Sequence, residues 1–515
     1  MSEHVLVKRA FSVQERAGRS MRLANSSRSH LTSAVLPLVV QAALVLLGVV
    51  LLFVPPADLP DTSVLSAALT FLLVWSLVSW RLAGLRLFDP YCLLLISAFL
   101  FNAGHALLEV IDFNEAGLMN GIFSETINRE TLVLSFAGLT GLHFGALLTV
   151  CVGWRRIAPL QWPSSTRETW VRRIGWLQLM VSGPAAALWL WQAVRIAAAT
   201  GYASLYDRDL ASGIAATPFL LSGFLVPGAL FLTVSGRRHK LDRRVSATVI
   251  MLFAALQFYL GYRSTAAMPL IAWLWLTHRV VKPFRWPVLA SWATVLVVVV
   301  FPLVRETRNM SLDERSTSSY LDNFLGVDNP AISSVHEMGS TMATTAHTLT
   351  LVPGARPFDL GEGYAYALLT IFPNLFWDIH PTIVRGTANE WLVRSINPWL
   401  ASRGGAYGYS CIAEAYLNFG KPGVPLMMCL YGALFVALLL WAERSGDPAK
   451  LAFAATVLAF VLRFPRDELT GVIRPVVWYA VLPYLSIVLT PVLMTGALKT
   501  TPLRTRQRVP SSEVA

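Results

Sequence analysis

The sequence predicts an all-α polytopic membrane protein, on the evidence of its composition, its apolar runs and the placement of its charges. Of its 515 residues, 55% are apolar and 14% are charged, whereas a soluble globular protein has about 25% charged residues. The mean hydropathy of +0.55 over this length is too high for a fold exposed to water on all sides. Composition therefore excludes soluble enzymes, disordered proteins and nucleic-acid binders.

Twelve apolar runs are candidates to cross a hydrocarbon layer about 30 Å thick, which takes roughly 20 apolar residues. They are 34–54, 64–80, 88–110, 131–153, 174–198, 217–235, 245–261, 264–278, 286–304, 422–442, 450–465 and 474–498. We therefore predict about twelve transmembrane helices, nine in 34–304 and three in 422–498. The runs 245–261 and 264–278 are shorter than a comfortable span.

Basic residues alternate between the two sides of these runs. The tail 1–33 carries six Lys or Arg residues and the tail 499–515 carries four, whereas the loop 55–63 has none. Because cytoplasmic loops carry an excess of Lys and Arg, both tails are predicted to be cytoplasmic. The net charge of +12 is then a topology signal and not a nucleic-acid-binding surface.

Residues 305–421, which we call the cap, form a long loop on the predicted outer side. The cap contains eight Lys or Arg and eleven Asp or Glu residues. Its middle, 364–377, is apolar and aromatic without reaching span length, which predicts helices at the membrane interface. The cap is long enough to cover the membrane surface and is the expected place of a functional site.

Arg263 is a candidate site residue because it lies at the tip of the hairpin between the two short runs. An arginine at membrane level is costly unless it lines a wet cavity or meets an anion. One interpretation is a phosphate clamp, since a guanidinium matches phosphate oxygens in a bidentate way. The alternative is an interfacial arginine that reaches lipid phosphates.

Ser410, Glu414 and Asn418 recur every four residues and therefore share one face of a predicted helix. We expect Gly420 and Pro422 to end that helix before the next span. In apolar surroundings Glu414 is a candidate general base for a hydroxyl group. Alternatively, it pairs with an arginine and holds the cap on the helix bundle.

Other residues of the cap are candidates to bind an anion or a sugar. Arg305 and Arg308 directly follow the ninth run, so the helix end sets their depth. His347 lies in a segment rich in hydroxyl and imidazole groups and is an alternative base. The remaining candidates are Arg385, Arg394 and Tyr364. Five charged residues in the segment 463–474 are most simply explained as neutralising one another.

Cofactor and metal motifs are absent from the sequence. It has no Walker A motif, no GxGxxG segment before a helix and no zincin motif. Its four cysteines lie in or beside apolar runs, without the spacing of a CxxC metal site. We therefore expect neither a metal nor a cofactor.

Three segments, in their order and spacing, resemble those of the bacterial oligosaccharide repeat-unit polymerases, the O-antigen polymerase type. LGYRSTAAMPLIAWL, which contains Arg263, resembles the Gly-x-Arg segment of that family. PFDLGEGYAYALLTIFPNLFW, at 357–377, resembles a segment of its large loop. YGYSCIAEAYLNFGKPGVPL, which contains Glu414, is similar to its closing Ser-x-x-x-Glu segment. The resemblance covers about 255–440.

The resemblance implies an integral-membrane glycosyltransferase-type fold that polymerises undecaprenyl-pyrophosphate-linked repeat units on the periplasmic side of the bacterial inner membrane. Arg263, with Arg305 or Arg308, would neutralise the departing pyrophosphate, and Glu414 or His347 would accept the proton of the acceptor hydroxyl. The expected partners are the lipid-linked donor and acceptor and the bilayer. Whether a chain-length regulator or a flippase also binds stays open.

Three alternatives remain. An O-antigen ligase would use another acceptor, but such ligases usually carry a functional histidine in the large loop, where this chain offers Glu414. A glycan flippase or other transporter would need charged residues in the middle of its spans for a coupling ion, and the predicted spans lack them. A transferase of polyprenyl-monophosphate sugars would match Asp58 and Asp61 in the first outward loop, but that loop is short.

Overall fold

The computed structural model describes residues 34–114, 117–153, 165–200, 217–307, 310, 317–374 and 377–498. Every element longer than one turn in these ranges is a helix, as predicted. The α-helices are α1 (Ala34–Leu51), α2 (Thr62–Leu82), α3 (Pro90–Val110), α4 (Glu125–Gly153), α5 (Ser165–Thr200), α6 (Thr217–Ser222), α7 (Leu225–Ser235), α8 (Lys240–Tyr259), α9 (Arg263–Val280), α10 (Trp286–Thr294), α11 (Phe301–Thr307), α12 (Thr317–Leu325), α13 (Pro330–Gly339), α14 (Met342–Leu351), α15 (Glu362–Leu369), α16 (Pro381–Arg385), α17 (Ala388–Ile396), α18 (Pro398–Ser402), α19 (Cys411–Arg444), α20 (Pro448–Val461), α21 (Thr470–Val476) and α22 (Leu482–Leu498). Two π-helical segments, Val295–Val300 and Val477–Val481, join α10 to α11 and α21 to α22.

The predicted number of twelve spans is not confirmed. Within the described ranges, ten helical segments are long and apolar enough to cross a membrane. The two runs at 245–261 and 264–278 are helical and form most of α8 and α9, but they are not among the ten. α8 begins with the charged sequence KLDRR and α9 begins at Arg263 and ends near Arg279, so both helices are less apolar than their neighbours.

Proline and a preceding acidic residue start two of the spanning helices. The carboxylate of Asp89 accepts the backbone N–H of Tyr91 at 2.9 Å and begins α3 at Pro90. Asp447 does the same for α20 at Pro448. An acidic N-cap satisfies a free N–H group of the first turn, and proline at the first position has no N–H to satisfy.

α4 and α19 form the central contact of the bundle. They lie parallel, with Gly141 and Gly145 of α4 against the backbone of α19. A Cβ atom on Gly141 would lie 2.5 Å from the carbonyl oxygen of Pro425, and one on Gly145 would lie 1.9 Å from that of Cys429. Small residues let helix backbones approach this closely in membranes.

α19 is interrupted at Gly420, where the sequence predicts the end of the helix that carries Glu414. It runs from Cys411 to Arg444, and φ at Gly420 is +67°. Glycine tolerates this backbone conformation because it has no Cβ atom. Glu414 lies before the interruption, beside the helices of the cap, and the rest of α19 packs along α4.

A glycine contact also holds the cap on the bundle. A Cβ atom on Gly104 of α3 would lie 2.8 Å from the Cα atom of Gly339 of α13. The adjacent His105 accepts the N–H of Met119 on Nδ1 at 3.2 Å and has its Nε2 atom 3.0 Å from the carbonyl oxygen of His336. His105 is therefore a neutral imidazole that donates from Nε2 and fixes α13 on α3.

Replacing Gly145 with alanine should destabilise the protein, because α4 and α19 would have to move apart. Overpacking of a close contact costs about 1–3 kcal/mol, and we expect a lower melting temperature for the detergent-solubilised protein. Gly183→Ala is the matched control, since a Cβ atom there would meet nothing within 4 Å. Equal melting temperatures for the two variants would show that α4 and α19 do not make this contact.

Candidate functional site

A polar cleft lies where α15, α16 and α17 of the cap meet the start of α19 and the turn before α21. Its charged and amide side chains are Arg356, Asp359, Arg385, Glu414, Asn418 and Glu468. Its free volume of about 20 Å³ is room for about one water molecule. A sugar therefore enters only when side chains of the cleft move.

Glu414 is 3% exposed, and its two carboxylate oxygens lie 3.0 and 3.1 Å from the backbone nitrogen of Leu469. A carboxylate has about four acceptor positions. One N–H group therefore leaves acceptor capacity on Glu414 for a hydroxyl group in the cleft.

The residues predicted to share a helix face with Glu414 take different places. Asn418 lines the cleft, and its Oδ1 atom accepts the N–H of Gly363 at 3.1 Å, which holds the start of α15. Ser410 is buried; its hydroxyl caps the first turn of α19 and donates to Oδ1 of Asn102 at 2.5 Å. The structure thus brings Glu414 and Asn418 together in the cleft and uses Ser410 as a helix cap.

Glu468 is a second carboxylate of the cleft, which the sequence did not reveal as a site residue. It is buried and accepts the backbone N–H groups of Ala388 at 3.0 Å and Asn389 at 3.3 Å. These groups belong to the first turn of α17, where the helix dipole favours a negative charge. Burial nevertheless raises the pKa of Glu468 from 4.5 to about 7.

Two arginines and a carboxylate form one wall of the cleft. Asp359 accepts from Arg356 at 2.9 Å and from Nη2 of Arg385 at 2.5 Å. The guanidinium of Arg385 also lies over the ring of Tyr366, 4.7 Å from its centre. Arg385, predicted as a binding residue, is therefore at the cleft with a fixed orientation.

Arg263 lines a different cavity, which we call the apolar groove. The groove has a volume of about 290 Å³ and is bounded by α3, α9, α10 and α13. Its apolar walls include Phe101, Met268, Leu274, Leu289, Trp292, Val297 and Leu462. The charged residues that line the groove are Arg263, Glu337 and Arg466. Arg263 makes a bidentate ion pair with Glu337 of α13.

The turn 463–469 separates the groove from the cleft. Arg463 pairs with Asp467, with Nε 2.8 Å from Oδ2, as mutual neutralisation predicts. Arg466 instead lines the apolar groove and Glu468 lines the cleft. In the sequence, the concentration of charged residues between two apolar runs points to this turn. The sequence does not show which of these residues line a cavity.

Two of the remaining arginine candidates, Arg305 and Arg394, line neither cavity. Arg305 lies in the last turn of α11, and its Nη1 atom donates to the hydroxyl of Ser333 at 2.5 Å. Arg394 is exposed on α17. Arg308 lies outside the described residues. Roles for these three arginines stay predictions.

His347 and Tyr364 also do not line the cleft. His347 is half-buried and meets Phe123 edge to face, with ring centres 4.7 Å apart. Burial lowers the pKa of His347, so the imidazole is neutral at pH 7. Tyr364 packs beside Phe419, with ring centres 5.9 Å apart. In the described part of the chain, no three His, Cys, Asp or Glu residues are grouped to hold a metal ion.

The fold and these two cavities define a multi-pass helical membrane protein with a carboxylate-bearing cleft under a helical cap. The family model of the O-antigen polysaccharide polymerase Wzy matches residues 38–497, and the chain belongs to this family. This match confirms the resemblance seen in the three sequence segments. No curated protein and no solved structure matches the chain.

The pKa of Glu468 predicts a pH dependence of stability. Because this pKa is higher in the folded protein than the ordinary 4.5, the group contributes full stability below about pH 4.5, and this contribution is lost as the pH rises through about 7. We expect the melting temperature to fall over this range in the wild type and to fall less in Glu468→Gln. The pH-dependent change in the free energy of unfolding should differ between the two proteins by at most about 3 kcal/mol.

The control for this measurement is Asp378→Asn, which removes an exposed carboxylate from the cap and should keep the pH slope of the wild type. Identical slopes for the wild type and Glu468→Gln would show that Glu468 is not a buried, protonated carboxyl group.

Proposed function

We propose that this protein polymerises oligosaccharide repeat units, carried on undecaprenyl pyrophosphate, on the periplasmic face of the bacterial inner membrane. Membership of the O-antigen polymerase family supports the joining of repeat units. The observation that supports the chemistry is Glu414, a buried carboxylate that lines the cleft and receives one backbone N–H group. The donor is already activated by pyrophosphate, so this reaction uses neither a metal nor a nucleotide.

In the proposed reaction, a hydroxyl oxygen of the acceptor attacks the anomeric carbon of the donor sugar. The bond from that carbon to the pyrophosphate oxygen breaks, and the pyrophosphate carrier leaves with the electron pair. Glu414 accepts the hydroxyl proton as a general base. Arg356 and Arg385 stabilise the negative charge that develops during transfer.

The apolar groove suits the polyprenyl part of the carrier. Its volume of about 290 Å³ is near the lower end of ligand pockets, about 300 Å³, and its walls are apolar. Glu337 now holds the guanidinium fork of Arg263, in the bidentate geometry that a phosphate also adopts. We propose that a phosphate of the acceptor's carrier displaces Glu337 and that the acceptor's sugars extend past Arg466 to the cleft. The pyrophosphate of the donor then lies in the cleft, at Arg356 and Arg385.

Glu414→Gln should abolish polymerisation while the protein still folds, because glutamine keeps the volume but cannot accept the proton. General-base catalysis contributes about 10²–10⁴-fold, and we expect a loss of that size. The measurement is a gel of surface polysaccharide from a host that lacks this gene and is complemented with each variant. Asp378→Asn, which changes an exposed carboxylate of the cap that does not line the cleft, is the matched control.

Two other outcomes of the gel would redirect the proposal. Polymer that forms but stays on its lipid carrier in the deletion strain would indicate a ligase. An unchanged ladder in the deletion strain would contradict a polymerase of that glycan and favour a transporter. A single repeat without a ladder is the outcome that the proposal requires.

Variants of Arg263 and Glu337 distinguish a phosphate-binding site from an ion pair that only stabilises the fold. If Arg263 binds phosphate, the strain with Arg263→Ala should make at least about tenfold less polymer than the wild type. The strain with Glu337→Gln should make as much polymer as the wild type, because the carboxylate only occupies the site when no substrate is bound. Membrane protein levels are measured by immunoblot. Equal losses of folded protein in both variants would instead show that the ion pair serves stability alone.

A further inference from the structure

A second groove lies at the opposite end of α4 and α19 from the cleft. Arg444 ends α19, 24 residues beyond the interruption at Gly420, about 36 Å at the 1.5 Å rise of a helix. The groove has a volume of about 600 Å³ and opens between α4 and α19. Its apolar wall includes Leu148, Val152 and Leu440. Its cationic residues are Arg444 and Lys450. We call it the distal groove.

The guanidinium of Arg444 has unsatisfied donors. Its Nε and Nη2 atoms are buried and have no hydrogen-bond partner in the part of the chain that the structure describes. Donors buried without partners cost free energy, and a buried charge without a partner costs more. The ammonium of Lys450 lies 4.3 Å from the ring centre of Trp441, which places a second cation beside the same groove.

Two acidic residues near this end of the bundle, Glu443 and Asp447, pair with other arginines. Glu443 lies 3.7 Å from Nε of Arg279. Asp447 lies 3.0 Å from Nε of Arg167 and also caps α20. Among the described residues that line the distal groove, none is acidic, so its two cations present positive charge beside the apolar wall.

We propose that the distal groove binds an anionic phospholipid, with its phosphate between Arg444 and Lys450 and an acyl chain along Leu148, Val152 and Leu440. A guanidinium and an ammonium bind phosphate oxygens by charge-assisted hydrogen bonds, and basic pockets between transmembrane helices bind anionic headgroups. The lipid compensates the guanidinium and fills the space between α4 and α19. This site is separate from the proposed donor and acceptor sites.

The test is titration of the detergent-solubilised full chain with phosphatidylglycerol, followed by native mass spectrometry. Each cation near a membrane surface contributes about fivefold to the binding of an anionic lipid. We therefore expect binding to weaken about fivefold in Arg444→Gln, about fivefold in Lys450→Gln and more in the double variant. Arg81→Gln, at an exposed arginine on the same end of the bundle, should bind like the wild type.

Two comparison ligands test whether the groove recognises both the negative charge of the headgroup and the acyl chain. Phosphatidylcholine should bind the wild type more weakly, and inorganic phosphate should not displace phosphatidylglycerol at millimolar concentration, because it lacks the acyl chain. Equal binding of both lipids would overturn the proposal, as would displacement by inorganic phosphate, which would indicate a site for a free anion. Unchanged binding in Lys450→Gln would also overturn it, even if Arg444→Gln does not fold.

Discussion

The close approach of α4 and α19 is the constraint on which the rest of the molecule depends. In a membrane, helices associate by close packing and not by the hydrophobic effect, because lipid tails are as apolar as leucine. Gly141 and Gly145 permit backbone contact with α19. α19 carries Glu414 at one end and Arg444 at the other. A change in this contact therefore alters the distal groove directly, because α4 and α19 line it, and reaches the cleft through the interruption at Gly420.

Each of the two cavities contains an arginine that is held by a carboxylate. Arg263 pairs with Glu337, and Arg385 pairs with Asp359. In the proposed function a phosphate of the substrate takes the position of the Glu337 carboxylate. Such pairs keep the guanidinium groups oriented and avoid the cost of an unpaired buried charge. The distal groove differs, because Arg444 has two buried nitrogens without a described partner.

The turn 463–469 connects the two parts of the proposed active site. Arg466 faces the apolar groove, and Glu468 faces the cleft two residues later. The first turn of α17 donates N–H groups to Glu468, and the N–H of Leu469 donates to Glu414. This short turn between two spanning segments thus contributes Glu468 and the N–H group that Glu414 accepts, and it separates the apolar groove from the cleft.

The sequence by itself determined the helical membrane class, the positions of the main apolar helices and the four-residue spacing of Glu414 and Asn418, because these follow from local periodicity and hydropathy. It did not determine that Glu468 joins Glu414, or that Arg263 meets Glu337, 74 residues away. These contacts depend on which helices pack together and in what register. Tertiary structure alone decides this, since close packing requires two complementary surfaces from distant parts of the chain.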